Sequence, residues 1–370
     1  MKKTILAALC LSVMALVSCQ HEDDLEPTKK ANVHMIGQYS QTRETGENVA
    51  EGGFYLKNDT VYELKSKEGF NAFPVRILRE KNGDIIILAN KIVLSAAGSG
   101  WSPAVFRGTE DVTEEFFDIE YGIIAAHIRD AAYDENGKLV FIGLMGMTRP
   151  GMWIDKDFIA LDASREHDYF LGNIVYAGGH RYIFGDREQD DTKVPSIWID
   201  NENEQLLTEA GPFHVSPVEC GTANAQGEFI MGGCGQVDEE HVKAAIWTDL
   251  KTAPQILDYQ LEGSVTSDAY GVYMNGNDKY AVITESGIEK GCTYIVKNGK
   301  VLPETMLIGE GNQHVPSAIK MLLKDGKYYR VGSYFTPETK IKPAYWIGNT
   351  RYMVNVPAER NGVLVDMLID

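Results

Sequence analysis

From Glu135 to Asp157 the chain reads ENGKLVFIGLMGMTRPGMWIDKD: a polar Gly turn, a β-prone run ending at Gly143, and then Trp153 opening a second polar turn. Runs of the same kind recur as VHMIG ending at Gly37, DIIILA at Ala89, RYIFG at Gly185, EFIMG at Gly232, KYAVIT at Thr284 and YYRVG at Gly332. Successive run ends, Gly143 included, lie 52, 54, 42, 47, 52 and 48 residues apart, a period that marks a repeat architecture. Trp153, Trp198, Trp247 and Trp346 hold the turn-opening position in four modules, and Tyr55, Phe106 and Ile295 hold it in the other three. With an apolar pair behind this landmark and another strand before each run, every module reads as four short strands separated by Gly, Asn and Asp turns.

Helical periodicity is nowhere sustained. A single four-stranded sheet cannot cover both its faces, so the modules must stack on one another, and radial stacking is the propeller solution. The expected fold over residues 32–370 is all-β: a seven-bladed β-propeller of four-stranded antiparallel blades, with the Trp row buried between neighbouring blades. The first run, at Val33, has no strand before it, and the chain ends in an apolar strand, Gly362 to Asp370, with no module after it. Assigned to the first blade, this C-terminal strand closes the ring and leaves no free edge.

The amino end carries a different signal. Lys2 and Lys3 precede an apolar stretch from Ile5 to Val17, the order of a secretory signal peptide and too short for the ~20 residues of a membrane span. It ends in Leu16, Val17, Ser18 and Cys19, which resembles the lipobox of bacterial lipoproteins, whose cysteine is acylated and becomes the mature N-terminus. The resemblance implies a signal peptide over 1–18, lipidation at Cys19 and a membrane partner through the lipid anchor. Residues 19–31 then read as a flexible acidic linker, and Gln20 to Asp24 is similar to the export signal that sends Bacteroidota lipoproteins to the outer face of the outer membrane. The expected location is the outer membrane, lipid-anchored and displayed at the cell surface.

The repeats resemble those of Bacteroidota propeller lipoproteins, with their Asp-Gly turns, Val-Gly strand ends and Trp-x-Asn segments, over about Val33 to Asp370. That resemblance implies a fold and little function. Removing residues 1–18 takes away two lysines and no acid, leaving 33 basic against 53 acidic residues. Such a balance, without a Lys/Arg cluster, argues against nucleic acid as a partner. Cys220, Cys234 and Cys292 are odd in number and lack metal-ligand spacing, so no disulfide framework is expected, although an exported location permits a Cys220–Cys234 pair.

Strand alternation puts the loops leading into each innermost strand at one end of the ring, together with the loops between second and third strands. His167, His214 and His314 lie 12, 13 and 12 residues before the turn glycines Gly179, Gly227 and Gly326, and Asn71 lies 12 before Gly83. These equivalent positions either pack locally or line the channel mouth, where imidazoles hold a metal or a polar ligand. Trp101, in a Gly- and Ser-rich segment at the same end, is either an anchor or a platform for a sugar ring, with Tyr169 and Phe213 in neighbouring loops. Asp59-Thr60-Val61 resembles the short O-glycosylation sequon of Bacteroidota, which marks Thr60. No catalytic or cofactor-binding motif is present, and turns such as DENG are turn chemistry before they are calcium ligands. The leading expectation is a binding module for a glycan or protein ligand. The alternatives are a hydrolase or lyase acting on polysaccharide, in which the histidines supply acid, base or metal chemistry, and a non-catalytic scaffold.

Overall fold

Tight turns set the strand ends. Asn58 and Asp59 (φ 48° and 65°), Asp155 and Lys156 (50° and 75°) and Asn298 with Gly299 (49° and 76°) all adopt the left-handed conformation that two-residue hairpins require. The computed structural model describes residues 32–370 apart from 43–47, 96–97, 119–125, 147, 162–167, 190–191, 201–204, 207–217, 239, 288–289, 310–315, 337–339 and 358–359. Residues Val33 to Ile369 form one unit, whose described elements are all strands except for a helical turn at Thr113–Phe116.

Sheet 1 comprises Asn361–Ile369, Val33–Thr42, Asn48–Lys57 and Thr60–Leu64, in that spatial order. Sheet 2 runs Ala72–Arg79, Ile85–Ser95, Gly98–Arg107 and Glu110–Asp111; sheet 3 runs Ala126–Tyr133, Leu139–Met145, Arg149–Ile154 and Asp157–Ala160. Sheet 4 follows with Tyr169–Ala177, His180–Gln189, Thr192–Ile199 and Gln205–Leu206. Sheet 5 has a leading half, Val218–Ala223, Phe229–Gln236, Val242–Trp247 and Gln255–Ile256, and a trailing half, Ser264–Asn275, Asp278–Gly287, Gly291–Lys297 and Lys300–Ile308. Sheet 6 is Pro316–Lys324, Lys327–Phe335, Ile341–Ile347 and Thr350–Met353.

The architecture is an all-β propeller, but the sheets differ from the expected seven separate ones. Five are separate and four-stranded, and the remaining eight strands form one continuous sheet. A single parallel bridge, Val242 to Thr266, joins its halves. The Tyr259 hydroxyl sits at this junction, its single proton shared between the carbonyls of Val265 (2.7 Å) and Val242 (3.0 Å) on the two strands. The C-terminal strand pairs antiparallel with Val33–Thr42, as the chain ends suggested.

Apolar faces meet in sequence order. Phe106 packs with Tyr55 between sheets 1 and 2, Trp153 with Val105 between 2 and 3, and Trp198 with Val140 between 3 and 4. Trp247 lies with Phe184 between sheet 4 and the leading half of sheet 5, and Tyr294 with Ile246 between the two halves. Trp346 packs with Ile295 between the trailing half and sheet 6, and Val331 meets Phe54 and Leu364 between sheet 6 and sheet 1. The four repeat tryptophans are at most 2% exposed, which makes the Trp row a core element.

Each innermost strand carries a β-bulge at the same height, at Val75, Arg129, Gly172, Glu219, Tyr270, Ile319 and, in the C-terminal strand, Val365. The bulge explains the recurring run-end glycine. A Cβ at Gly143, Gly185 or Gly332 would lie 2.2, 2.2 or 1.9 Å from the carbonyl oxygen of His127, Phe170 or Ser317, each two residues before a bulge. The residues just after the bulges form a polar belt. Lys320 Nζ meets Asp366 Oδ1 at 2.8 Å, and Arg76 reaches both Asp366 (3.6 Å) and Asp130 (3.2 Å). Asp366 accepts from the Ile77 amide, Asp130 from Ile174 and Asn173 from Gly221, so the same inter-sheet bond recurs three times.

Candidate functional site

Where the bulges interrupt the innermost strands, the bulged residues stay at least partly exposed, as do His127, Phe170, Asp268 and Ser317 two places before them. Starting from sheet 2 and going round, the loop end presents an aromatic arc. Trp101 is half-buried, edge-on to Phe73 (5.6 Å between centroids) and tilted against His127 (5.2 Å). Burial, reinforced by the Arg129 charge, lowers the His127 pKa to about 4, so this imidazole is neutral at physiological pH. Phe170 continues the arc, with the Arg129 guanidinium carbon 4.8 Å and the Lys193 ammonium 6.0 Å from its ring centroid.

An acidic arc follows. Asp186 is 1% exposed and accepts from the Val218 amide at 3.2 Å. Burial lifts its pKa to about 6 against the opposing pull of Lys193 and that amide. Burial also raises Glu219, against Lys193 and Arg129. Asp268 is raised furthest, to about 7, by burial and then by the charge on Glu219. Beside it the half-exposed Tyr270 phenol is pushed up to about 12 by burial and by Asp268, and the Cys234 thiol is raised by the same two causes and stays protonated.

Three buried polar atoms at this end, His127 Nδ1, Arg129 Nε and Asp268 Oδ1, have no hydrogen-bond partner among the described residues. Native cores satisfy nearly all such atoms; two of these three share the innermost strand of sheet 3, and Asp268 lies on the innermost strand of the trailing half of sheet 5. A separate cavity of about 340 Å³ lies at the opposite, turn-bearing end, between the halves of sheet 5. Glu228, Ile246, Gln255, Lys279 and Asn298 line it, on second, third and fourth strands or their turns.

Of the residues singled out from sequence, Trp101 takes part in this site, on the strand Gly98–Arg107 and not on a loop. Tyr169 does not: it packs against Trp198 at 5.8 Å in the core between sheets 3 and 4, because its side chain faces the opposite side of the strand from Phe170. Asn71 is committed elsewhere, its amide donating to the Glu51 carbonyl at 2.5 Å. Thr60 is exposed beside the Asn58-Asp59 turn. Cys19, His167, Phe213, His214 and His314 lie outside the described residues. Cys220, Cys234 and Cys292 are unbonded thiols, so the permitted Cys220–Cys234 disulfide is not formed. Among the described residues no three His, Cys, Asp or Glu side chains come together as a metal site.

Arg129, Asp186, Lys193, Glu219 and Asp268 were not singled out by repeat position. Their sequence signal was of another kind: isolated charges inside otherwise β-prone runs, as in AHIRDAAY, YIFGDRE and VTSDAYG, where an ionised group is costly unless paired or functional.

No family model matches the chain, and no curated protein does. Similar solved structures include a mutant of AofleA from Arthrobotrys oligospora (8% identity, 82% of this chain and 90% of that chain, TM-score 0.42). An Aleuria aurantia lectin mutant in complex with Fucalpha1-6GlcNAc matches at 8% identity over 78% and 97% of the two chains, TM-score 0.40. A thermostable family-43 glycoside hydrolase matches at 10% identity over 65% and 96%, TM-score 0.38. Superpositions this loose carry no residue correspondence.

Proposed function

We propose that this chain is a lipid-anchored binding module that takes a glycan at the loop end of its channel. The carrying observation is the placement of partly buried aromatic rings at Trp101, His127 and Phe170 beside Arg129, whose Nε has no hydrogen-bond partner among the described residues. Sugars have apolar C–H faces edged by hydroxyls, so rings that stack and polar groups that fix orientation are the pairing they require. The ring serving this site has seven blades, the halves of sheet 5 acting as two, and the C-terminal strand closes it. The lone bridge within sheet 5 and the interleaved apolar clusters support that count.

A glycan array probed with the full chain tests the reading. Binding to at least one glycan class, weakened roughly tenfold or more by Trp101→Ala, is the expected result; no glycan bound, or undiminished binding by the variant, overturns it. A second reading, acid–base cleavage of the bound glycan, draws on the two carboxyls at about 6 and about 7, a spread that suits one proton acceptor and one donor. Reducing-end release from the array ligand, abolished by Asp268→Asn, distinguishes it from binding alone.

We further propose that Cys19 carries the lipid and that the protein faces outward from the outer membrane of a Bacteroidota cell, as a member of its propeller lipoproteins. Cys19→Ala then shifts the protein out of the membrane fraction, and protease added to intact cells degrades the wild-type chain. An unshifted variant contradicts the anchor, and full protection of the wild type contradicts surface display.

A further inference from the structure

Arg129 and Lys193 come from different sheets, one from the innermost strand of sheet 3 and the other from the third strand of sheet 4, yet both approach the ring of Phe170. Among the described residues neither has an ion-pair partner, and the Arg129 Nε is buried without an acceptor. Several other buried or partly buried cations are matched by carboxylates: Arg76 with Asp130 and Asp366, Lys91 with Glu68, Lys320 with Asp366. Carboxylates are near at hand, since Asp186 and Glu219 feel both cations, but neither lies within ion-pair distance. Asp186 is already engaged by the Val218 amide. Two like charges drawn to one ring, one stripped of solvent and lacking an acceptor, are a cost to the fold that an arriving anion removes. Arginine's planar fork suits a carboxylate or sulfate, which accepts two parallel N–H donors.

We propose that Arg129 and Lys193 form a subsite for an anionic substituent, so that the ligand is an acidic glycan bearing uronate or sulfate groups. This rests on the glycan reading and narrows it. The neighbouring titratable groups set its pH dependence: Asp186 and Glu219 compete for the same cations when ionised, Asp268 acts on Glu219, and His127 is neutral. Binding of an acid-stable anion such as a sulfated sugar therefore tightens as pH falls from 8 to 5.

The test is an array pairing uronate oligosaccharides with their carboxyl-reduced counterparts and sulfated oligosaccharides with desulfated ones, followed by calorimetry on the best pair at 50 and 200 mM salt. The expected result is at least a tenfold preference of the wild-type full chain for one charged form, diminished by salt. Which pair shows it tells carboxylate from sulfate. The double variant Arg129→Gln, Lys193→Gln should bind both members of that pair equally, and a melting profile close to wild type confirms that it is folded. Equal wild-type affinity for charged and neutral forms overturns the anionic subsite while leaving the glycan reading intact. A retained preference in the folded double variant overturns the assignment to these two residues. Failure to bind any glycan overturns both.

Discussion

Asp366 is the most consequential single residue in the belt, and its replacement by Asn has an effect that can be worked out. The carboxylate is 2% exposed, holds Lys320 at 2.8 Å and Arg76 at 3.6 Å, and accepts from the amides of Ile77 (3.0 Å) and Met367 (2.9 Å). Asn keeps an acceptor for one amide but leaves two cations facing each other. Breaking a buried ion pair by removing one partner costs about 3–5 kcal/mol. Lys320 and Arg76 each retain roughly a quarter of their side-chain exposure, which places the cost near the lower end, about 3 kcal/mol. With an unfolding entropy of ~2.1 cal/mol/K per residue over this propeller, that is a fall in melting temperature of ~4 °C. Urea unfolding, with thermal melts alongside, reads both quantities.

The pH dependence supplies a second check. Burial alone would raise the Asp366 pKa, but Lys320 and Arg76 outweigh it and hold it below its ordinary 3.8. Its contribution is therefore present above about pH 4 and is lost as pH falls through the depressed value, so the gap between Asp366→Asn and wild type should narrow in acid. A loss below 0.5 kcal/mol at pH 7, or a gap that widens below pH 4, refutes the idea that this carboxylate ties the C-terminal strand to its neighbours.

Two other outcomes follow from geometry and charge. Gly332→Ala puts a methyl 1.9 Å from the Ser317 carbonyl and should cost about 1–3 kcal/mol in urea unfolding, whereas Gly100→Ala, with nothing within 4 Å, should be near neutral. Asp268, raised to about 7, keeps its proton in the folded state over a range where the unfolded chain has lost it. Its contribution to stability falls as pH rises from about 4 to 7, and Asp268→Asn should flatten that decline; an unchanged pH profile contradicts the displaced titration.

The fold was legible in sequence because its demands are local and repeated. A Trp must fill the gap between neighbouring sheets, so Trp153, Trp198, Trp247 and Trp346 recur at one position. At three of the bulges a Cβ opposite would meet a carbonyl of the innermost strand, so Gly143, Gly185 and Gly332 recur at another. Two landmarks are displaced by one residue: the residues paired just before the bulge are Gly233 and Ile283, next to Gly232 and Thr284. The union of the two halves of sheet 5 was not legible, since it rests on a single parallel bridge between modules, with the Tyr259 hydroxyl at the junction.

The site was harder to read for the opposite reason. The residues proposed to meet a ligand occupy single positions in particular modules, so Arg129, Glu219 and Asp268 break the repeat that revealed the fold. Its place in an entry loop near Trp101 instead favoured Tyr169, which packs in the core. Among the described residues, Trp101, already conspicuous as the tryptophan outside the repeat, belongs both to the sequence candidates and to the proposed site.

Hydrogen–deuterium exchange of the full chain, with and without a glycan selected on the array, tests most directly whether the loop end of the channel is where this protein works. Added protection should be concentrated at the starts of neighbouring innermost strands, around 126–130, 169–173, 218–221 and 266–270. Protection concentrated instead at the opposite end, around Gln255, Lys279 and Asn298, would contradict the placement of the site.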